Sequence, residues 1–259
     1  MGGFSIGYGI GISPTAKRFS PLAISGLQLW LDSSDGSTLY DSTSGGSIVS
    51  ADGSAVKRWE DKSGNARHAT EATNAPTLEV AEKNGKNVLN FATSKYLTCS
   101  FPDITFTSQT VFAVFRFSSS MESFGRVFTQ SILNSQDYSI SGHYIPILRN
   151  TNLGAICSYT NGGARSAVST SNAIWYIARA RHSGSSLTLS VNNAEGETYL
   201  FSLNRIFNIF RIGAGYTPPI TAEAFANSLM SEIIVYNKNV SDSESEQITN
   251  YLNTKWAIY

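Results

Sequence analysis

The chain has 259 residues, of which 41% are hydrophobic and only 15% are charged, and its formal net charge at pH 7 is zero. This length is sufficient for a sizeable core within one domain. The sequence has neither the lysine and arginine clusters of a nucleic-acid-binding surface nor an apolar run of about 20 residues that could span a membrane.

The first 21 residues differ in pattern from the rest of the chain. Large apolar residues alternate with serine or glycine at five positions, namely Phe4, Ile6, Tyr8, Ile10 and Ile12. In a strand, alternate side chains point to opposite faces, so one face is apolar and the other is nearly bare backbone. A bare face allows another backbone to approach closely. We predict that residues 1–21 form an extended arm that anchors the chain to a partner through these five side chains. A flexible glycine-rich tail is the alternative.

From Ile24 onwards, short strand patterns are separated by turn residues. The segment 110–117 is apolar on both faces for most of its length, which predicts a strand in the centre of a sheet. The segments 88–91 and 96–99 are predicted to pair with each other. Further strands are predicted over 27–32, 127–130, 144–148, 155–159, 175–180, 187–191, 210–213 and 229–236. About a dozen short strands with long polar connections indicate a sandwich of two sheets.

One helix is predicted, at the end of the chain. Ser241 and Glu244 have the spacing of a capping box, in which each side chain binds the backbone N–H of the other residue. The apolar residues that follow lie on one helical face, at Ile248, Tyr251, Leu252 and Trp256. We therefore expect this helix to pack against the sandwich.

The two cysteines, Cys99 and Cys157, each lie in an apolar, strand-like stretch. Free cysteine behaves as a small hydrophobic residue, so two buried free thiols are predicted, and one disulfide is the alternative.

No cofactor is expected. The alternative is that the chain binds a calcium ion. The candidate ligands are Asp32, Asp35 and Asp61, because loop carboxylates are hard oxygen ligands. The competing interpretation is that Asp-Ser-Ser-Asp and Asp-Lys-Ser-Gly-Asn are ordinary turns, whose aspartates bind their own backbone. The three histidines lie far apart without the spacing of a zinc site.

Several of these segments together resemble the concanavalin A-like (laminin-G-like) jelly rolls found in phage virion proteins and bacterial surface proteins. The resemblance rests on Gly-Leu-Gln-Leu-Trp-Leu-Asp at 26–32, Trp-Glu-Asp at 59–61, Ser-Glu-Ile-Ile-Val-Tyr at 231–236 and the final helix. It implies a mostly β fold over residues 22–259, an antiparallel jelly-roll sandwich of two sheets with one C-terminal helix and an N-terminal arm.

Glycoside hydrolases with this jelly-roll fold resemble one another in a Glu-x-Asp-x-(x)-Glu run on one strand. This spacing places two carboxylates on the same face of the sheet. The best candidate here, Glu232, has no acidic residue at the required spacing, so we expect it at a sheet edge or paired with a basic neighbour. No catalytic residue is assigned, and a non-enzymatic protein is expected.

The resemblance and the arm together predict a structural protein on the surface of a phage virion. It would be a capsid decoration, head fibre or tail-associated subunit whose partners are other virion proteins, its own copies and host-surface glycans. The alternative is a carbohydrate-binding lectin module of a bacterial or viral surface protein. Neither hypothesis includes nucleic acid or a membrane span.

Overall fold

In the residues that it describes, a computed structural model shows twenty strands and one α-helix, α1 (Asp242–Trp256). It describes residues 19–92, 94–118, 123–133, 135, 137, 144–160, 163–202, 204–217 and 221–259. The strands are, in chain order, β1 (Leu27–Asp32), β2 (Leu39–Tyr40), β3 (Arg58–Trp59), β4 (Ala69–Thr70), β5 (Thr77–Lys83), β6 (Lys86–Phe91), β7 (Leu97–Phe106), β8 (Gln109–Phe117), β9 (Arg126–Ser131), β10 (Tyr144–Asn150), β11 (Ala155–Thr160), β12 (Gly163–Ser169), β13 (Trp175–His182), β14 (Ser186–Val191), β15 (Ala194–Glu195), β16 (Tyr199–Leu200), β17 (Arg205–Ile212), β18 (Gly215–Thr217), β19 (Thr221–Glu223) and β20 (Ser228–Tyr236).

Most strands belong to two large antiparallel sheets, as predicted. The first sheet has the order β15-β14-β13-β8-β20-β6-β5, with β1 also paired to β20 and β16 to β14. The second has the order β12-β11-β10-β9-β17-β7-β4-β3-β2. Strands β18 and β19 form a separate hairpin. The predicted two-sheet jelly-roll sandwich with a C-terminal helix is therefore confirmed.

The main core lies between the two sheets, and a second core lies on the outer face of the first sheet. Strand β8 contributes to both cores: Val111 and Phe115 face the second sheet, whereas Phe112 and Val114 face α1. Because alternate residues of a strand point to opposite faces, a strand buried on both sides must be apolar throughout. This confirms the central position predicted for residues 110–117, since β8 pairs with β13 on one side and β20 on the other.

The predicted pairing of residues 88–91 with 96–99 is wrong. Strand β6 pairs with β5 and β20 in the first sheet, whereas β7 pairs with β4 and β17 in the second. The short connection between them crosses from one sheet to the other. Phe91 and Leu97, at its two ends, are both fully buried in the core between the sheets. Two apolar strands close in sequence can either pair with each other as a hairpin or belong to different sheets. Here the pairing of β6 with β20 and of β7 with β17, both distant in sequence, places them in different sheets.

The C-terminal helix forms as the capping residues predict. The Ser241 hydroxyl accepts a hydrogen bond from the backbone N–H of Glu244, and the Glu244 carboxylate accepts one from the N–H of Ser241. Ile248, Leu252 and Trp256 are fully buried against the first sheet. An amphipathic helix of this length depends mainly on such packing for its stability.

The anchoring contacts predicted for Phe4, Ile6, Tyr8, Ile10 and Ile12 lie outside the described residues and stay a prediction. The described chain begins beside the helix, where the Phe19 ring lies 5.8 Å from the Tyr251 ring. In the part of the chain that the structure describes, no helix is long and apolar enough to cross a membrane.

Candidate functional site

Two acidic residues far apart in sequence meet beneath the C-terminal helix. Asp32 of β1 lies directly opposite Glu232 of β20 in the sheet register. The Lys255 ammonium of α1 forms ion pairs with both, at 2.8 Å to Glu232, and all three side chains are at least 94% buried. Glu232 therefore pairs with a basic residue, as one of the two predicted alternatives states. It lies on a central strand and not at a sheet edge.

Glu232 has a full set of hydrogen-bond partners. One carboxylate oxygen accepts bonds from the Trp30 indole at 2.7 Å and the Tyr251 hydroxyl at 2.8 Å. The other accepts bonds from Lys255 at 2.8 Å and the Trp256 indole at 2.7 Å. Burial and the negative charge of Asp32 raise the pKa of Glu232, an effect that Lys255 opposes. Since no face of this carboxylate is open to a ligand, we interpret the cluster as a connection between helix and sheet.

The three aspartates suggested for calcium all have partners within the protein. Lys62 Nζ lies between Asp32 and Asp35, at 2.9 Å and 2.8 Å from their carboxylates. Asp61 accepts hydrogen bonds from the backbone N–H groups of Trp30 and Ser63, at 2.9 and 2.8 Å. The bond from Ser63 N–H to Asp61, like that from Ser34 N–H to Asp32, is the kind of contact that the turn interpretation describes. Among the described residues, no three His, Cys, Asp or Glu side chains converge on one point that could hold a metal ion. The calcium hypothesis stays a prediction without support from this geometry.

A groove between α1 and the outer face of β13 and β14 has the features of a ligand site. Its volume is about 440 Å³, within the range of about 300–1,000 Å³ that is usual for small-molecule sites. Carboxylates, amides and hydroxyls line it together with one arginine and one tyrosine. The lining residues of this helix groove are Ile177, Arg179, Ser190, Asn192, Asn193, Glu195, Asp242, Glu246, Thr249, Asn250 and Tyr259.

The sheet wall of the helix groove is built by a tight hairpin. Asn192 and Asn193 join β14 to β15, and Val191 pairs with Ala194 across this two-residue turn. Asn192 has a φ of +53°, a left-handed conformation that asparagine tolerates better than most residues. Its side-chain oxygen accepts a hydrogen bond from Ile177 N–H at 2.9 Å, so the turn is fixed to β13.

The helix wall follows from helical periodicity. Asp242, Glu246, Thr249 and Asn250 are spaced at i, i+4, i+7 and i+8, which places them along one stripe of α1. This polar stripe lies beside the apolar stripe that packs on the sheet. The groove therefore exists because α1 lies on the sheet along one stripe and leaves the neighbouring stripe facing the hairpin.

The arginines of β13 are already paired with groups of the protein. The Arg179 guanidinium donates hydrogen bonds to Ser190, Ser245 and the Glu195 carboxylate. Arg181 forms an ion pair with Asp242. Burial, together with the positive charge of Arg181, lowers the pKa of Arg179, and the hydrogen bond from Arg181 lowers the pKa of Asp242. Arg179 thus positions neighbouring side chains and has both terminal nitrogens occupied.

Other side chains of the helix groove are available to a ligand. Within the described part of the protein, Glu246, Asn193 and Asn250 form no side-chain hydrogen bond or ion pair, and all three are exposed. Tyr259 is 49% exposed, while its backbone N–H is bonded to the Asn253 side chain at 2.9 Å. The site thus combines a free carboxylate, two free amides and a half-exposed aromatic ring.

Sequence reasoning did not find this site. It predicted a strand that ends at residue 191 and examined only the apolar stripe of the helix. The available signals were the polar stripe at helical spacing and the Asn-Asn-Ala-Glu sequence of the hairpin at 192–195. Neither signal shows that the two segments, about 50 residues apart, face each other.

Comparison with known proteins shows the fold but no family. The chain matches no family model and is similar to none of the curated proteins compared with it. Similar solved structures include a Trypanosoma rangeli sialidase in complex with 2,3-difluorosialic acid, with 14% identity and a TM-score of 0.56. The match covers 90% of this chain and 33% of that chain. A GH54 α-L-arabinofuranosidase soaked with a cyclic sulfate inhibitor matches with 12% identity and a TM-score of 0.62, over 88% of this chain and 62% of that one.

These matches correct the prediction of a non-enzymatic protein. That prediction relied on the missing carboxylate run around Glu232. The chains similar in fold are described as a sialidase and an arabinofuranosidase, so this fold also occurs in glycosidases. In addition, the fold collects Glu195, Asp242 and Glu246 in one groove, which no single-strand motif reveals. The chain spans only a third of the sialidase, so the match shows a similar fold and does not assign the activity of the sialidase to this chain.

Proposed function

We propose that this chain is a carbohydrate-binding β-sandwich domain that holds a glycan in the helix groove. The observation that carries the proposal is the set of free side chains at Glu246, Asn193, Asn250 and Tyr259 around a groove of sufficient size. Amides both donate and accept hydrogen bonds, and a carboxylate accepts them, so together they match the hydroxyls of a sugar. A half-exposed tyrosine ring offers an apolar face for the sugar ring.

The solved structures of similar fold support this proposal at the level of the fold. The sialidase is described in complex with a sialic acid derivative and the arabinofuranosidase with an inhibitor, so both belong to proteins that act on sugars. At identities of 12–14%, the position of a binding site cannot be inferred from these structures. The residues in our proposal therefore come only from the helix groove of this chain.

Glycan binding by the full chain tests the proposal. We expect wild type to bind members of an oligosaccharide array, and N193A/N250A to bind about tenfold more weakly, because each lost hydrogen bond contributes about 0.5–1.5 kcal/mol. Gln247→Ala is the matched control, since Gln247 is exposed on α1 but does not line the groove. Failure of wild type to bind any glycan, or equal binding by all three proteins, would refute the proposal.

The same array distinguishes two further properties. Repeating the measurement with EDTA tests the calcium hypothesis, because a calcium-dependent site loses binding when the ion is chelated. Incubating bound oligosaccharides with the protein and measuring released reducing sugar shows whether binding is followed by hydrolysis. If sugar is released, a lower rate of release by Glu246→Gln would show that the helix groove contributes to the hydrolysis.

The virion setting is a separate proposal that rests on the sequence resemblance and on the alternating arm. In this proposal residues 1–21 attach the domain to capsid or tail proteins, or to its own copies, by adding a strand to a partner. The sandwich is then carried on the virion surface, where many copies strengthen weak glycan binding. A pull-down from the native source that compares the full chain with one lacking residues 1–20 tests it. Recovery of the same partners by both chains would contradict the anchoring role of the arm.

A further inference from the structure

We propose that the helix groove selects neutral or amino sugars and rejects sugars that carry an acid group. This inference rests on the proposed function and adds to it the chemical class of the ligand. It follows from the signs of the charges in the groove and from which of those charges are already paired.

Negative charge predominates in the lining of the helix groove. Three carboxylates, Glu195, Asp242 and Glu246, face one guanidinium, that of Arg179. Counting Arg181, which lies outside the lining but pairs with Asp242, still leaves one carboxylate without a cation. That carboxylate is Glu246, in the second turn of the helix.

The single cation of the lining is not available to an anionic ligand. Both terminal nitrogens of Arg179 donate hydrogen bonds to oxygens of the protein, and the ion pair with Glu195 neutralises its charge. The remaining nitrogen, Nε, is buried and has no partner among the described atoms. A sugar carboxylate would therefore have to displace Glu195 from Arg179 and lie near the unpaired Glu246. Both requirements disfavour an acidic sugar.

Neutral and amino sugars meet neither obstacle. Hydroxyl groups can donate to the Glu246 carboxylate, and charge-assisted hydrogen bonds of this kind are stronger than bonds between neutral groups. Asn193 and Asn250 provide donors for the hydroxyl oxygens. A free amino group in place of a hydroxyl adds a favourable charge interaction with Glu246, and its benefit decreases as salt is added because the site is open to solvent.

Binding to immobilised oligosaccharides that end in lactose, N-acetylglucosamine, glucosamine or sialic acid tests the inference. We expect wild type to bind the neutral and amino-terminated probes at least tenfold more tightly than the sialic-acid-terminated probe. Glu246→Gln should remove the preference for glucosamine over N-acetylglucosamine, and Glu246→Lys should strengthen binding of the sialylated probe. Gln247→Lys is the control, because it changes the charge of α1 by the same amount as Glu246→Gln but outside the groove.

The outcomes separate this inference from the function on which it rests. Binding of none of the probes, nor of any other glycan on the array, overturns the proposed function and the inference together. Binding of the sialylated probe as tightly as the neutral ones overturns the inference and leaves carbohydrate binding in place. Equal effects of Glu246→Gln and Gln247→Lys, which change the charge by the same amount, also overturn it, since the preference would then reflect net charge and not the groove. Glu246 and Gln247 are both exposed on the helix, so each variant is expected to fold.

Discussion

Replacing Glu232 by glutamine should strongly destabilise the protein. Glutamine has almost the same shape but presents an NH₂ group where the carboxylate has an acceptor oxygen. In one orientation this NH₂ faces Lys255 and Trp256, and in the other it faces Trp30 and Tyr251. Either way at least one hydrogen bond is lost within a fully buried site, because the Tyr251 hydroxyl is the only one of the four partners that can accept a bond from the NH₂ group. Lys255 keeps its ion pair with Asp32, so the cost is that of the lost hydrogen bond, and bonds to charged groups contribute roughly 1.5–3 kcal/mol each. We therefore expect the free energy of unfolding to fall by about 1.5–3 kcal/mol.

Urea denaturation followed by tryptophan fluorescence measures this change. Two of the four partners of Glu232 are the indoles of Trp30 and Trp256, so the emission reports on the cluster directly. The midpoint should decrease without a change in slope if stability alone is altered. Glu246→Gln makes the same chemical change on the exposed side of the helix and should alter stability by no more than about 0.5 kcal/mol.

A decrease of less than about 1 kcal/mol for Glu232→Gln would refute our interpretation of the cluster, because such a value is typical of one ordinary hydrogen bond. The helix would then be held on the sheet by apolar packing alone. A decrease in slope with an unchanged midpoint would instead indicate that the unfolding is no longer two-state.

Three further predictions concern other buried or capping residues. Burial lowers the pKa of His182, an effect that its hydrogen bond to the Phe201 carbonyl opposes. The unfolded chain therefore binds the proton first, and stability should decrease as the pH falls below about 6.5, which urea titrations at pH 7.5 and 5.5 detect. Ser241→Ala should reduce stability by about 1 kcal/mol in the same assay, through loss of the helix cap. Burial raises the pKa of both thiols, that of Cys157 to about 12, so neither Cys99 nor Cys157 should react with a thiol reagent before the protein unfolds.

Each of these predictions has a clear contrary result. An unchanged pH dependence in His182→Gln would show that other groups cause the loss of stability. Destabilisation of Ser241→Asp to the same extent as Ser241→Ala would argue against the cap, since aspartate caps helices equally well. Modification of the native protein at the rate of a free thiol would show that a cysteine is accessible.

Local patterns predicted several features correctly because they depend on neighbours in sequence. The capping box at Ser241 and the aspartate turns involve residues two or three positions apart, and the structure contains both. The central position of β8 follows from side chains that are apolar on both faces, which only burial on both sides allows. The sequence also predicted two buried free thiols, and the structure confirms them.

Only the tertiary structure could decide which distant segments meet. Asp32 and Glu232 are 200 residues apart, and they become neighbours through the register of β1 on β20, which no local pattern contains. The helix groove likewise needs the hairpin at Asn192 and the polar stripe of α1 to face each other. The sequence alone located eleven of the twenty described strands, the helix cap and the two-sheet class, because periodicity and capping are local. The strand order, the buried cluster and the groove depend on long-range packing, which selects one arrangement among many that the same local patterns allow.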